Sequence, residues 1–466
     1  MPWKAGLRSW SNCYKAGERL TSSLTEKLTG LLGSDALVSP CLLGQYTVDG
    51  LTPEAVVRPT SREAIAEVLC WAAAEKLAVV PRGGGTQLLL GNLPARVDLV
   101  LDLSQYNRLL DYQPADLTAT VEAGMNLEAL QQQLAQGGKL VPLEAPLAHQ
   151  ATIGGILAAN ASGPLRYSYG LARDWLIGIS VVGADGVETK AGGKVVKNVT
   201  GYDLNKLYTG SLGTLGIIVE ATFKLAPVPT DSGALVTVFP SMHEAIDRAR
   251  ELLKQVYAPQ GVQVVNAMVG HKLGIPLGLS GSEAAVLASY TGRHRAVQRR
   301  LDESTRLLRD GGARDLVRLE AEPASHLLRK LTDLGWSTNT VPQLGLKVNL
   351  PPSAVGQMAT WAQSEQSSPS VGMVADPGFG QVHFFWWEGP ATKNLDDSSY
   401  IATISEARRR AGALGGSVLV EHCSRSLKQQ IDVWGDSTGL IELMTRIKHS
   451  FDPAGILNPG RFMGKL

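Results

Sequence analysis

Apolar and polar positions along this chain follow two periods, and the two periods predict helices and strands in turn. Apolar residues recur at helical spacing from Ile65 to Ala72, behind Thr60 as the expected N-cap residue. The stretch "LTATVEAGM" alternates apolar and polar residues, which predicts a half-buried strand. Asn126 directly after it is expected to cap the helix "LEALQQQLAQ".

A hairpin and a change of pattern divide the rest of the chain. "GISVVGADGVETKAGG" predicts two strands around Asp185-Gly186, a pair suited to positive φ. After Pro229 helical patterns alternate with strands such as "GALVTVF", "EAAVLASY", "LGLKVNL", "QVHFFWW" and "SVLVEH". This order predicts an α+β domain with an antiparallel sheet. We therefore expect an N-terminal extension (1–49), a first domain (50–229), a second domain (230–425) and a C-terminal helix and tail (426–466).

Composition narrows the class of protein. Of the 466 residues 44% are hydrophobic and 19% charged, which is typical of a globular enzyme. The formal net charge of +1 gives no general field for nucleic acid or anionic lipid. Any bound anion must be held by a local site.

The cysteines and the apolar runs indicate a reducing compartment. Cys13, Cys41, Cys70 and Cys423 are scattered, without metal-ligand spacing and too few for a disulfide framework. The N-terminus lacks the apolar core of a signal peptide, and no run is long enough to span a bilayer. We expect a cytoplasmic protein, and peripheral membrane association through partner subunits stays open.

The stretch "VVPRGGGTQ" (Val79–Gln87) is the first candidate site. Successive glycines let backbone N–H groups converge on a phosphate, and Arg82, Thr86 and Gln87 add charge and donors. A tight turn between two strands is the alternative explanation. The loop is neither a P-loop, because no lysine follows, nor a Rossmann fingerprint, because the third glycine is missing.

A second glycine cluster, "ATIGGILAANASG", follows about 70 residues later. Its small side chains around Gly154 and Gly155 would let a flat ligand lie against the backbone. A closely packed helix start would explain the same pattern.

Several motifs in order now carry a resemblance. "PRGGGTQ", "TIGGILAANASGPLRYSYG", "GADG", "VKNVTGYDLNKLYTGSLGTLGII" and "FDPAGILNPGRF" together resemble the FAD-binding (PCMH-type) domain of the vanillyl-alcohol oxidase family. With "IDVWG" (Ile431–Gly435), the C-terminal part is most similar to the FAD-binding E subunit of glycolate oxidase. The resemblance is strong over 50–229 and 425–466 and weak between them. It implies a PCMH-type domain of two α/β subdomains and an α+β cap domain with an antiparallel sheet.

The resemblance also implies which residues bind FAD. The diphosphate would lie on Arg82, Gly83, Gly84, Gly85, Thr86 and Gln87. The flavin and ribityl chain would contact Thr152, Gly154, Gly155, Ala159, Asn160, Ser162, Arg166, Tyr167 and Gly170. The adenosine end would pass Gly213, Gly216, Ile217 and Ile218, with Pro142 flanking the cofactor and Asn458 returning the tail to it.

Noncovalent FAD is expected. Some relatives attach FAD through a histidine in the glycine loop or a cysteine in the second cluster, and this chain has neither. His149 precedes the second cluster and is expected to be an ordinary loop histidine.

The candidate catalytic residues lie in the second domain. Oxidation of a 2-hydroxy acid needs a cation for the carboxylate and a base for the hydroxyl proton. Relatives carry "HxGDGNxH" and "EHGxG" motifs that bind a divalent metal, where this chain has "VADPGFGQVHFF" and "VLVEHCSRS". His383, Glu421 and His422 match parts of these motifs, and Lys347 is the candidate carboxylate partner. Because ligands are missing, no metal is expected.

The resemblance implies an FAD-dependent subunit of a glycolate (2-hydroxy acid) dehydrogenase. Electrons would leave through a sister flavin subunit and an iron–sulfur subunit, because this chain has no cysteine cluster. Two alternatives stay open: an FAD-binding partner subunit without turnover, and a standalone D-lactate-type dehydrogenase.

Overall fold

Two sheet-containing parts follow each other in the computed structural model, which describes residues 21–194, 202–364, 371–389, 396–435 and 439–466. The helices of the first part are α1 (Thr21–Leu32), α2 (Arg62–Glu75), α3 (Leu127–Ala135), α4 (Ile153–Ala159), α5 (Arg166–Tyr169), α6 (Ala172–Trp175) and α7 (Leu204–Tyr208). Its strands are β1 (Ala55–Val57), β2 (Val79–Arg82), β3 (Leu99–Asp102), β4 (Leu109–Gln113), β5 (Thr118–Glu122), β6 (Lys139–Leu140), β7 (Leu176–Val182), β8 (Glu188–Gly192), β9 (Ile217–Lys224) and β10 (Ala226–Pro227).

The second part carries longer strands and helices. Its strands are β11 (Asp231–Phe239), β12 (Gly261–Asn266), β13 (Ala284–Gly292), β14 (Asp315–Leu319), β15 (Leu344–Asn349), β16 (Val371–Asp376), β17 (Gln381–Trp386) and β18 (Ser417–His422). Its helices are α8 (Met242–Leu253), α9 (Ala267–Leu273), α10 (His294–Asp310), α11 (Ala321–Asp333), α12 (Val355–Ser364), α13 (Asp397–Ala413), α14 (Arg425–Gln430) and α15 (Ile441–Phe451).

The first part is built on two main sheets. A parallel sheet has the order β1-β3-β2, and an antiparallel sheet has the order β4-β5-β9-β7-β8. Helix α2 buries Ile65, Val68 and Leu69 against the parallel sheet. The expected N-cap Thr60 is wrong by one residue, because the Ser61 side chain accepts the hydrogen bond from the Ala64 N–H.

The second part is a single eight-stranded antiparallel sheet with the order β14-β11-β13-β12-β16-β17-β15-β18. Helices α8, α10, α12 and α13 share a core with one face, and α9 and α11 share a core with the other. On β15, Leu346 and Val348 belong to the first of these cores. Because side chains alternate along a strand, Lys347 between them faces the opposite side.

The C-terminal tail returns to the first part. Val79 N–H donates to the Ile456 carbonyl at 2.8 Å, and Asn458 N–H donates to the Val79 carbonyl at 2.9 Å. The tail thus runs parallel to β2 as a short additional strand. This pairing brings Asn458 beside the segment that precedes the glycine triplet.

The predicted α+β class and the antiparallel sheet of the second part are confirmed. The hairpin is also confirmed, with β7 paired to β8 and Gly186 at φ 77°. Strands β12, β14 and β16 were not predicted. Cys13 and the first six residues of the motif "VKNVTGYDLNKLYTGSLGTLGII" lie outside the described residues. Within the described ranges, no helix combines the length and apolarity that a membrane crossing requires.

Candidate cofactor and substrate site

The glycine triplet follows β2 and packs directly on the second glycine cluster. A Cβ on Gly83 would overlap Thr152 Oγ1, and one on Gly84 would overlap the Gln150 carbonyl oxygen. Gly85 has φ +73°, a conformation that favours glycine. The loop is therefore a tight connection, and its glycines allow two backbone segments to meet.

A cavity of about 780 Å³ lies along this contact. It is lined by the side of helix α4 that carries no bulky side chain and by the loop before β9. The predicted FAD residues that line it are Arg82, Gly83, Gly84, Gly85, Thr86, Gln87, Thr152, Gly154, Gly155, Ala159, Gly213, Gly216, Ile217, Ile218 and Asn458. We call it the glycine cavity.

Buried polar atoms without partners test whether this cavity fits FAD. Arg82 Nε, Asn458 Oδ1 and both Nε and Nη1 of Arg461 have no hydrogen-bond partner among the described residues. All three residues line the glycine cavity. Unsatisfied buried donors are costly, and an anionic ligand would satisfy those of the arginines. The donor set therefore fits a diphosphate.

A second cavity of about 1430 Å³ adjoins the first, and Gln87 and Ala159 line both. The predicted residues Asn160, Ser162 and Arg166 line this second cavity instead of the glycine cavity. Pro142, Tyr167 and Gly170 line neither. Pro142 and Gly170 border a small separate pocket, and Tyr167 is 39% exposed.

Three of the four candidate catalytic residues meet in the second cavity, which we call the ionisable cavity. Lys347 on β15 and His383 on β17 are cross-strand partners, and Glu421 reaches both from β18 on the other side of β15. Lys347 Nζ lies 3.6 Å from Glu421 Oε1, and His383 Nδ1 lies 3.4 Å from Glu421 Oε2. The central order β17-β15-β18 therefore builds a compact triad.

The triad fixes the charges of its members. Burial lowers the pKa of Lys347 and of His383, and the Glu421 carboxylate opposes both shifts. Burial raises the pKa of Glu421, but Lys347 and His383 lower it more, so its pKa lies well below the usual range. At neutral pH Glu421 is ionised and His383 is neutral.

A second ion pair crosses the same cavity. Arg166 Nε lies 3.3 Å from Asp376 Oδ2, and the Arg166 guanidinium stacks over the Phe379 ring at 4.9 Å. Asp376 also accepts the backbone N–H groups of Gly378 and Phe379. Arg166, which the resemblance assigned to the flavin, thus lies beside the triad.

The placement of His422 differs from the prediction. It does not line the ionisable cavity; the register between β15 and β18 shifts at Gly345/Leu346, and the His422 ring lies over Gly345. Its ring packs edge-on against Trp336 at 4.3 Å, and burial lowers its pKa to about 4. His422 is therefore a neutral packing residue in this structure.

Metal ligands do not converge in the part of the chain that the structure describes. No group of three or more His, Cys, Asp or Glu side chains there could hold an ion. The two carboxylates of the ionisable cavity instead face Lys347 and Arg166.

Sequence reasoning missed several residues of the two cavities. Asp376, Gln381 and Trp434 line the ionisable cavity, and Arg461 lines the glycine cavity. Arg461 directly follows the motif "ILNPG", so its position beside Asn458 was a usable signal. The partners of Asp376 depend on long-range packing, which no local pattern reports.

Comparisons with known families and proteins agree with this geometry. Residues 53–192 match the model of the FAD binding domain, and residues 228–462 match the model of FAD linked oxidases, C-terminal domain. The two matched ranges together include most of the residues that line the two cavities.

Curated relatives match over nearly their whole length. The chain is 27% identical to glycolate oxidase subunit GlcD of Bacillus subtilis, covering 89% of each chain. It is 28% identical to D-2-hydroxyglutarate dehydrogenase of Xanthomonas citri pv. viticola, covering 88% of this chain and 89% of the relative. It is 26% identical to D-lactate dehydrogenase of Anaerostipes hadrus, covering 96% and 98%.

Solved structures show the fold. p-Cresol methylhydroxylase with substrate bound matches with a TM-score of 0.74 and 17% identity, covering 94% of this chain and 96% of that one. Alkyldihydroxyacetonephosphate synthase matches with a TM-score of 0.68 and 18% identity, covering 94% and 86%. The architecture is thus the PCMH-type fold.

Proposed function

Because this chain belongs to the FAD-linked oxidases and is an FAD-dependent oxidoreductase, we propose that it oxidises a 2-hydroxy acid of the glycolate type. FAD would bind noncovalently in the glycine cavity, with its ring reaching the ionisable cavity. The observation that carries the proposal is the triad of Lys347, Glu421 and His383 beside that cavity.

The names of the relatives support this substrate class. Glycolate, D-2-hydroxyglutarate and D-lactate differ in side chain and share a hydroxyl group next to a carboxylate. An enzyme for any of them needs the same cation and the same base. Identities of 26 to 28% support the shared chemistry and leave the individual acid open.

Lys347 would hold the substrate carboxylate. Its ammonium has three N–H donors, and the 3.6 Å contact with Glu421 leaves donors for a ligand. Arg166, fixed by Asp376, supplies a second cation in the same cavity. Together they would orient the substrate through charge-assisted hydrogen bonds.

His383 would take the hydroxyl proton. It is neutral at neutral pH, and it would take the proton at Nε2, where the substrate hydroxyl would replace the 3.1 Å contact with Gln381 Oε1. Nδ1–H would face Glu421 Oε2 at 3.4 Å, so the carboxylate would stabilise the imidazolium that forms. When bound, the flavin supplies the hydride acceptor. Trp336, Phe385 and Trp434 would exclude water from the cavity.

Anaerobic reduction tests the function. The purified chain carrying FAD is mixed without oxygen with glycolate, D-lactate or D-2-hydroxyglutarate, and the visible flavin absorbance is followed. We expect bleaching by at least one acid. Lys347→Met should lower the second-order rate of bleaching about 10- to 100-fold, because a charge-assisted contact to the carboxylate is lost.

Lys190→Met, an exposed lysine on β8, is the matched control and should react like the unaltered chain. If Lys347→Met bleaches at the unaltered rate, Lys347 does not bind the carboxylate.

A non-catalytic FAD-binding subunit is the second candidate. It is favoured by the relative named as a subunit and by the incomplete match to the motifs of catalytic relatives. Flavin that stays coloured with all three acids would support it. A standalone D-lactate-type dehydrogenase would instead bleach with D-lactate and turn over with a soluble acceptor without any partner.

Electron transfer to partner subunits is part of the proposal. The cysteines of the described chain, Cys41, Cys70 and Cys423, lie far apart in sequence and form no cluster for an iron–sulfur centre. A sister flavin subunit and an iron–sulfur subunit would then carry electrons away from the reduced flavin.

A further inference from the structure

Arg461 is held at the glycine cavity by the C-terminal tail. The tail pairs with β2 through Ile456 and Asn458, and Gly460 at φ +87° turns the chain close to Ala95. The Arg461 residue is only 2% exposed. Its carbonyl oxygen accepts hydrogen bonds from Asn92 N–H at 2.9 Å and from Trp434 Nε1–H at 3.1 Å.

One end of its guanidinium is fixed. Arg461 Nη2 donates to the carbonyl oxygens of Leu88 and Leu90, in the loop that follows the glycine triplet. The side chain therefore has a defined direction in the absence of any ligand. This contact also connects the tail to the loop.

The other two nitrogens have no such contact. Arg461 Nε and Nη1 are buried and have no hydrogen-bond partner in the described ranges. The nearby Asp49 carboxylate is occupied by Lys428 Nζ, at 3.0 and 3.1 Å. Burial lowers the pKa of Arg461 to about 10, which reflects a charge that the protein compensates poorly.

The guanidinium of Arg82, the other arginine of the cavity, has partners within the protein that Arg461 lacks. The Arg82 guanidinium lies over the Tyr46 ring at 4.4 Å, and its Nη1 lies 4.0 Å from Asp102 Oδ2. No ion pair joins Arg461 to a carboxylate among the described residues. A ligand with two adjacent anionic groups would satisfy both nitrogens at once, since a guanidinium presents its N–H groups as a planar fork.

We infer that Arg461 binds the FAD diphosphate through Nε and Nη1, as the cation that faces the glycine triplet from the C-terminal tail. The inference rests on the assignment of FAD to the glycine cavity. It adds a residue beyond that assignment, and it gives the tail a direct part in cofactor binding.

Ligand titration of the full chain tests this role. Arg461→Met keeps an unbranched apolar stem and removes the charge and the donors. Dissociation constants for FAD and for riboflavin, which lacks the diphosphate, are measured by calorimetry on chain freed of flavin. We expect Arg461→Met to weaken FAD binding about 10- to 100-fold and riboflavin binding less than about twofold.

Thermal unfolding separates binding from a structural role. Without FAD, Arg461→Met should unfold somewhat lower than the exposed control Arg446→Met, because the hydrogen bonds to the Leu88 and Leu90 carbonyls are lost, although a poorly compensated buried charge is removed as well. Saturating FAD should raise the melting temperature less in Arg461→Met than in the control. Arg461→Lys, which keeps the charge, should recover part of the FAD affinity.

Several results would overturn the inference. One is an Arg461→Met affinity for FAD within twofold of that of the unaltered chain. Another is an equal loss of affinity for FAD and for riboflavin. The third is a lower melting temperature of the variant without FAD, together with the same rise in melting temperature on adding FAD as in the control. If the unaltered chain fails to bind FAD, the assignment of the cavity fails with it. If the unaltered chain binds FAD and Arg461→Met binds it equally well, the assignment of the cavity stands and only the role of Arg461 is contradicted.

Discussion

At the scale of single residues, the glycine triplet combines packing and recognition. Gly83 and Gly84 have no room for a Cβ because the second glycine cluster lies against them. Their exposed amides are a consequence of that packing. Substitution there would displace backbone at Gln150 and Thr152 as well as any ligand, so loss of cofactor at these positions would not separate the two causes.

The ionisable triad predicts how oxidation depends on pH. Burial lowers the pKa of His383 below its usual value of about 6.5, so the residue is a neutral base above that lowered pKa. The rate of flavin reduction should therefore be constant near neutral pH and fall only as the pH drops through that lowered pKa. His383→Gln should lower the rate about 100-fold or more and abolish the acidic fall.

Anaerobic rapid mixing between pH 5 and 8, with His449→Gln on the exposed surface of α15 as control, measures this profile. An acidic fall that persists in His383→Gln would assign the proton transfer to another group.

Residue chemistry was partly predictable from the sequence. Lys347, His383 and Glu421 were each recognisable by type and by alternation along strands. Their meeting depends on the strand order β17-β15-β18, which local patterns do not specify. His422 shows the limit: it is adjacent to Glu421 in sequence, but its ring packs against Trp336 and does not line the cavity.

At the scale of secondary-structure elements, the C-terminal helix and tail act as a brace. Asp452 follows α15 and is fully buried. Its carboxylate accepts the N–H groups of Ile456 and Leu457 at 3.1 and 2.8 Å and pairs with Lys448 Nζ. These contacts turn the chain into the strand-like segment that carries Asn458 to the cavity.

Removing that carboxylate should therefore be costly. Asp452→Ala leaves the Lys448 ammonium without its carboxylate partner and two backbone donors unsatisfied, so we expect a loss of about 2 to 4 kcal/mol in the free energy of unfolding. The control Asp203→Ala removes an exposed partner of Lys206 and should cost less than about 0.5 kcal/mol. Denaturant titration compares them, and equal losses would contradict the bracing role.

Elements with strong local signals were the ones correctly predicted. Asn126 caps α3 by accepting the Ala129 N–H, and the hairpin turns at Gly186. Strand β12 was missed because its apolar run is short and sits in the middle of the sheet.

At the scale of the whole molecule, the function depends on contacts between the two parts. Arg166 of the first part pairs with Asp376 of the second, and Gln263 Nε2 donates to the Pro164 carbonyl at 2.8 Å. Both contacts lie at the loop after α4, where the glycine and ionisable cavities adjoin. The local pattern of one sequence does not predict contacts between residues so far apart along the chain. The order of the motifs, in contrast, already indicated the family.

The central claim is that the glycine cavity holds FAD noncovalently. In the described residues that line it there is no cysteine or histidine for covalent attachment. Gly155 offers a selective probe, because it faces the cavity and a Cβ there would meet only Thr152 Oγ1, at 3.2 Å. Leucine at this position should enter the cavity without displacing the backbone.

The most direct measurement is the FAD content of the purified full chain and of Gly155→Leu, before and after acid precipitation. We predict equimolar FAD in the unaltered chain, all of it released into the supernatant, and a folded Gly155→Leu chain that carries none. A colourless unaltered chain that takes up no added FAD, flavin that stays with the precipitate, or full FAD content in Gly155→Leu would contradict the account.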